Sequence, residues 1–390
     1  VPAQYPASAE SYLLRNDKGI FKNVTAEVCP ALKKPGMITD AIWTDFNGDH
    51  KQDLIAVGEF TSLLFFENSG DKLTQVSTDI DLKKGWWNSI TGGDYDLDGD
   101  TDYVVGNLGK NNAYNVTEQY PLKVYARDFD SNGSMDAIMS CYMRETMYSS
   151  DRKLYPVHFW DELNNQSPKF RNRYSRYRQY GKATMEDLLD EKDLQDALIL
   201  EANQMASVYV ENLGGNKFQM RELPALSQVA PVNGLLTDDI NGDGLPDVLM
   251  VGNDYGNEVF VGRYDAFNGL VLFGDGAGNF IPGIPAETGF YVPGDAKSLV
   301  RVKGNNADLF IASQNKDSLK VFAKTPVSGS RSFLPEPMDV KAELIFSDGR
   351  KQLVEFYYGS GYLSQSSRTI TIPQGVRSVT VYDSRGRSRA

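Results

Sequence analysis

Four stretches of the chain offer the same oxygen donors at the same spacing. They are Asp45, Asn47, Asp49 and Asp53; Asp94, Asp96, Asp98 and Asp102; Asp128, Asp130, Asn132 and Asp136; and Asp239, Asn241, Asp243 and Asp247. Within each nine-residue stretch these side chains fall at positions 1, 3, 5 and 9. A hard cation that gathers about six to eight oxygens needs that supply from a short, sharply turning loop, and calcium suits this spacing. The chemistry expected is metal holding, with about four structural Ca2+ ions, one for each stretch.

The same first three ligand positions occur in the EF-hand, which also requires a bidentate Glu at position 12 and flanking helices. Position 12 is here Ala56, Val105, Met139 or Met250. Short apolar runs follow position 9 (Leu54-Ile-Ala-Val, Tyr103-Val-Val, Ala137-Ile-Met, Val248-Leu-Met-Val), and others precede most copies, as at Ala41-Ile-Trp43 and Gly234-Leu-Leu236. The element that positions the donors is therefore strand, loop, strand. Any one Asp-Gly-rich stretch could be an ordinary hairpin turn, but recurrence in matching context favours the metal.

A second phrase alternates with the first. Tyr12 to Phe21, Leu63 to Leu73, Val208 to Phe218 and Leu270 to Phe280 each read as a β run, an Asn-Gly-type turn and an apolar residue on the return strand. Asp45 and Asp94 are 49 residues apart, a repeat length that reads as a four-stranded β-propeller blade. The spacing then breaks to 34 and 111 residues. The long gap is ascribed to a helical insertion over 143–197, with a helix start at Thr184-Met-Glu-Asp187. Within it Phe170 to Tyr180 interleaves Arg and Tyr. That segment could stack bases or sugars, or simply present a buried Tyr side and a wet Arg side, the reading preferred here. Residues 289–324 supply a degenerate blade without a complete acidic loop, 327–337 a linker, and 338–390 a small all-β module in which Val340, Ala342, Leu344 and Phe346 alternate with polar residues.

A length of 390 residues accommodates one large β domain and a small one. Lys and Arg number 40 against 52 Asp and Glu, a net charge of −12, which argues against a nucleic-acid partner. Cys29 and Cys141 could pair in an oxidising compartment or be two buried thiols. No apolar run is long enough to cross a bilayer. The chain opens at Val1, as a processed or excised piece would, and an N-terminus beyond it could carry a lipid anchor. Loops of this kind, tuned to millimolar calcium, fit an extracellular, cell-surface or periplasmic address.

These phrases resemble the FG-GAP or VCBS repeats of the integrin-α type β-propeller. Lys84-Gly-Trp86-Trp87-Asn88, Gly93-Asp-Tyr-Asp, Asp102-Tyr-Val-Val-Gly-Asn107-Leu-Gly109 and Val261-Gly-Arg263-Tyr-Asp265 are similar to the large FG-GAP proteins of gut and marine Bacteroidetes, related to the cartilage acidic protein group. The terminal module, with Ser347-Asp-Gly349, Gln352 and Gly359-Ser-Gly-Tyr362-Leu-Ser-Gln365, looks like the ASPIC/UnbV domain. Its closing strand, Val381-Tyr-Asp-Ser, departs from the family's usual ending. The resemblance implies an all-β fold, a secreted or surface-attached propeller with structural calcium in the loops named above. About five blades and a lone opening hairpin are expected, against a usual seven. Either further blades lie outside this sequence, the preferred reading, or the hairpin joins the last blade to close a smaller ring.

The sequence offers only His50 and His158, so neither a Ser-His nucleophile nor a zinc site is favoured. Gly359-Ser360-Gly361 is expected to be a tight turn, not a nucleophile elbow. Most carboxylate clusters are used by the loop pattern. The expected function is thus a non-enzymatic, calcium-stabilised binding or adhesion module for a glycan or protein partner. The alternative is a calcium-dependent polysaccharide-cleaving lyase or glycosidase on the same scaffold. Trp86 and Trp87 could form a platform for sugar or belong to the blade core.

Overall fold

The computed structural model describes residues 5–257, 261–326 and 328–390, and its architecture is all-β with a few short helices. β1 (Leu14–Asp17) and β2 (Ile20–Asn23) form a separate hairpin. β3 (Met37–Thr44), β4 (Asp53–Thr61), β5 (Leu64–Asn68) and β6 (Leu73–Val76) then make an antiparallel meander. β7 (Gly85–Gly93) and β8 (Asp102–Asn107) begin a second sheet. The chain next leaves it to build another from β9 (Leu122–Arg127), β10 (Asp136–Arg144), β11 (Arg152–Pro156) and β12 (Leu198–Ala202). It returns with β13 (Val208–Asn212) and β14 (Phe218–Glu222), and β13 pairs with β8 through Val208 opposite Val105. β15 (Val232–Asp238), β16 (Asp247–Gly252), β17 (Leu270–Gly274) and β18 (Phe280–Gly283) make a further meander. β19 (Ala296–Lys303), β20 (Asp308–Gln314) and β21 (Lys320–Ala323) make a three-stranded one.

All four Asn-Gly-type hairpins expected from sequence are present, as β1–β2, β5–β6, β13–β14 and β17–β18. The interruption is larger than a helical insertion over 143–197. It runs from the end of β8 to the start of β13, and it carries the third acidic loop on its own sheet, with short helices from Trp160 to Leu194. Thr184 caps its helix as expected: its hydroxyl accepts from the Asp187 amide, and Asp187 Oδ2 accepts in return from the Thr184 amide at 2.9 Å. The Arg- and Tyr-rich segment is two short helices, with Phe170 and Tyr180 buried and its arginines exposed.

The first strands β3, β7, β15 and β19 lie side by side in that order, so four sheets stack face to face along an arc. Residues on alternate sides of one sheet enter different cores. Tyr103, Val105 and Val208 pack toward Phe46, Phe65 and Trp87, while Val104 and Tyr209 pack toward Val248 and Leu272. Burial on both faces explains why the second strands read as unbroken apolar runs. Each first strand is also bulged at the same point, at Thr39, Asn88, Asn233 and Lys297. Next to those bulges polar side chains tie neighbouring sheets: Thr39 Oγ1 donates to Trp87 O at 2.9 Å, Ser89 Oγ to Val232 O at 2.8 Å, and Asn233 Nδ2 to Ala296 O at 3.0 Å. Burial supplies the stability, about 1.5–3 kcal/mol per large apolar side chain. The ties, about 1 kcal/mol each, select which strand sits beside which.

The C-terminal module consists of β22 (Arg331–Phe333), β23 (Asp339–Phe346), β24 (Lys351–Glu355), β25 (Ile370–Ile372), β26 (Val376–Asp383) and β27 (Ser388–Arg389). β22 pairs with β25, so part of the segment read as a linker over 327–337 belongs to the module; Val327 lies outside the described residues. Val340, Ala342, Leu344 and Phe346 are buried, as their alternation predicts. Lys341 is buried as well, because its face of the strand rests on an acidic loop. Cys29 and Cys141 are buried in different cores and unpaired.

Candidate metal-binding loops

Each of the four acidic stretches connects the first two strands of its sheet, and the four share one backbone path. Position 4 is left-handed in every copy (Gly48 φ 75°, Leu97 φ 62°, Ser131 φ 62°, Gly242 φ 82°), and so is position 6 (His50 φ 64°, Gly99 φ 99°, Gly133 φ 87°, Gly244 φ 84°). The donor side chains hold these turns locally. The position 3 oxygen accepts the position 5 amide, as from Asp49 to Asn47 at 3.0 Å and from Asp243 to Asn241 at 3.1 Å. The position 5 oxygen accepts the position 7 amide, as from Lys51 to Asp49 at 2.9 Å and from Ser134 to Asn132 at 2.7 Å. Short polar side chains bonding their own backbone two residues on make this fold local to the sequence.

Position 9 explains why the two repeated phrases alternate. Asp53, Asp102, Asp136 and Asp247 open the second strand of their sheets and are buried. In three of them one oxygen accepts the amide that ends the third strand: Asn68 to Asp53 at 2.7 Å, Asn212 to Asp102 at 2.8 Å, and Gly274 to Asp247 at 2.9 Å. Asn68 and Asn212 in turn donate their side-chain amides to Gln52 O and Phe46 O, at 2.8 and 2.9 Å. The same Asn residues accept Gly70 N and Gly214 N to form their own turns. The acidic loop and the Asn-Gly hairpin are thus halves of one braced corner. In the three-stranded sheet Asp308 takes the position 9 place, and Lys303 pairs with it at 2.8 Å.

The acids are crowded, and those at positions 1 and 9 of the first two loops are buried. Asp94, Asp96 and Asp98 each bring a carboxylate oxygen within 4.8 Å of the others, as do Asp128, Asp130 and Asp136. The first and fourth loops use an amide, Asn47 or Asn241, at position 3, and among the described residues their acids do not form such a triple. Burial first, then neighbouring carboxylates, pushes Asp53 up to about 7, Asp94 to about 7 and Asp100 to about 7. Asp102 rises to about 8, Asp247 to about 7 and Asp136 to about 6, chiefly through burial. Asp45 Oδ1, Asp53 Oδ2, Asp94 Oδ1 and Asp100 Oδ1 are buried without a hydrogen-bond partner. A buried, unpartnered carboxylate oxygen is costly unless a cation meets it, so the donor set fits a hard divalent ion. Asp100 escaped the position pattern; its signal is a further acid inside an already acidic nine-residue loop.

The C-terminal module docks on the first two loops. Lys341 Nζ lies 2.6 Å from Asp45 Oδ2, with both side chains buried. Glu355 accepts Asp45 N at 2.9 Å and Thr44 Oγ1 at 2.7 Å, and Leu353 N donates to Asp94 Oδ2 at 2.8 Å. His50 stacks on Tyr382, ring centroids 5.2 Å apart and nearly parallel. Arg301 N donates to Ser366 Oγ at 3.1 Å and ties the module to β19.

Residues 45–105 match an FG-GAP-like repeat. The matched segment runs from position 1 of the first loop to Val105, so it holds the first loop, strands β4 to β7, the second loop and the start of β8. No curated protein matches the chain. Of the two tryptophans between those loops, Trp87 is fully buried in the core and donates Nε1–H to Thr61 O at 2.9 Å, while Trp86 is half-buried and lines a cavity at the far end of the sheets. His158 Nε2 accepts Met139 N at 3.1 Å. Among the described residues no helix is long and apolar enough to cross a membrane.

Proposed function

We propose that the chain is a non-enzymatic, calcium-binding module, extracellular, surface-attached or periplasmic, that binds a glycan or protein partner, with the ions serving architecture. The observation that carries this reading is the recurrence of one backbone path in four loops, together with buried carboxylate oxygens that lack a partner. On this reading the residues at positions 1, 3, 5 and 9 of each loop hold the ions, about four Ca2+ in all, and Asp100 stands beside the second. Bound calcium neutralises acids that burial holds near or above pH 6 and secures the corner between strands. We further read the sheets as blades of a β-propeller of the FG-GAP/VCBS type and residues 338–390 as an ASPIC/UnbV-like module. Asp96→Ala and Asp243→Ala should each lower the calcium stoichiometry by one ion; equal stoichiometry in wild type and variants contradicts the assignment.

One observation favours the enzymatic alternative. Glu59 and Asp254, two acids outside the loops, line a common cavity. Incubation with polysaccharides in the presence and absence of Ca2+ separates the two readings. Saturable binding without shortened chains is expected, and chain scission overturns the non-enzymatic reading.

A further inference from the structure

The first, second and fourth acidic loops sit at one end of the stacked sheets, where Thr44 pairs with Asp53, and the C-terminal module covers the first two there. At the opposite end, where Met37 pairs with Glu59, a cavity of about 150 Å³ opens beside the bulges. Its walls include Trp86, Tyr114, Tyr264, Asn88, Glu59 and Asp254. A second cavity of about 400 Å³ adjoins it, and Tyr114 and Tyr264 wall both.

The lining discriminates among ligand classes. An anion would face Glu59 and Asp254. An organic cation would meet the Lys297 ammonium in the wall, which lies 2.7 Å from Asp295 and 3.6 Å from Asp254 and leaves Glu59 as the acid it does not pair. What remains is a mixed supply of acceptors and amide donors beside aromatic rings. The Asn88 side chain makes no hydrogen bond among the described residues, and an amide of this kind both donates and accepts. Sugar hydroxyls need both, while the apolar C–H faces of the ring pack on Trp or Tyr.

We propose that this groove binds a neutral saccharide, with Trp86 as the stacking surface and Asn88, Glu59 and Asp254 as hydroxyl partners. The proposal rests on the binding-module reading above and names its ligand class, but it does not depend on the metal. The bulge at Asn88 is then functional as well as structural, since it holds Asn88 in the groove lining.

Calorimetric titration of the full chain in Ca2+ with disaccharides of glucose, galactose, mannose and xylose tests it. Saturable binding of at least one probe is expected, weakened about tenfold or more in Trp86→Ala and in Asn88→Ala. Tyr362→Ala, on the exposed surface of the C-terminal module, should bind as wild type does. Asn88→Ala guards against misfolding of the tryptophan variant, because the amide it removes has no partner. Undiminished binding in both groove variants overturns the proposal. So does absence of binding by every probe in a protein whose melting temperature still falls with EDTA, an outcome that leaves the metal reading standing. Release of shortened products that Glu59→Gln abolishes supports the groove while overturning the non-enzymatic reading.

Discussion

His50, Leu97 and Ser131 hold left-handed backbone angles, at a cost of about 1–2 kcal/mol for a residue with a side chain. His50 recovers part of that by stacking on Tyr382, and Leu97 packs closely against Gly276. Ser131 is exposed and recovers little. Ser131→Gly should therefore raise stability by about 1 kcal/mol, and Gly133→Ala, at φ 87° with open space around it, should lower it by about 1 kcal/mol. Urea denaturation of both variants checks the pair, and a null result for both would mean the left-handed turns are not retained in solution. Asp339 gives a pH-dependent counterpart away from the loops. Arg389, with the Glu336 amide, holds its carboxyl below the ordinary 3.8. Its stabilisation is present above that ordinary value and is lost as pH falls through the lowered folded one. Thermal melts of Asp339→Asn should therefore show a flatter acid limb than wild type; identical limbs would assign the acid sensitivity elsewhere.

The element that matters most is the corner formed by an acidic loop, the strand after it and the hairpin beyond. The loop recurs four times and the braced corner three, and the loop was legible in the sequence because the donors lie within nine residues and shape their own turn. The hairpins were legible for the same reason, being local Asn-Gly turns. Two features depended on contacts a hundred residues or more apart and left no local mark. Lys341 occupies the polar side of an alternating strand, where a solvated face is the natural expectation, yet that side docks on Asp45. The nested sheet between β8 and β13 likewise escaped notice, since the pairing of Val105 with Val208 spans the whole insertion. The buried ion pair yields a prediction at this scale. Removing one partner of such a pair costs about 3–5 kcal/mol, so Lys341→Met should destabilise the calcium-free protein by about that amount. Calcium should shrink the loss, because a bound ion takes over the Asp45 charge. Equal losses with and without Ca2+, measured by denaturant melts, would show that Asp45 serves the module alone.

Across the whole molecule the two ends of the stacked sheets divide the work. One end concentrates carboxylates and is clamped by the C-terminal module through Lys341, Glu355 and Leu353. The other leaves a polar, aromatic-walled groove open. Sequence reading anticipated an all-β chain of repeated sheets and a terminal β module, but not that the module would sit on the first two loops. That placement makes the loops internal joints, so metal loss should be felt globally. The most direct measurement is the melting temperature of chelator-treated protein as Ca2+ is restored. The account predicts a marked rise that saturates at about four ions per chain and is reversed by EDTA. A melting temperature indifferent to Ca2+ and EDTA, with no ion bound, would contradict it.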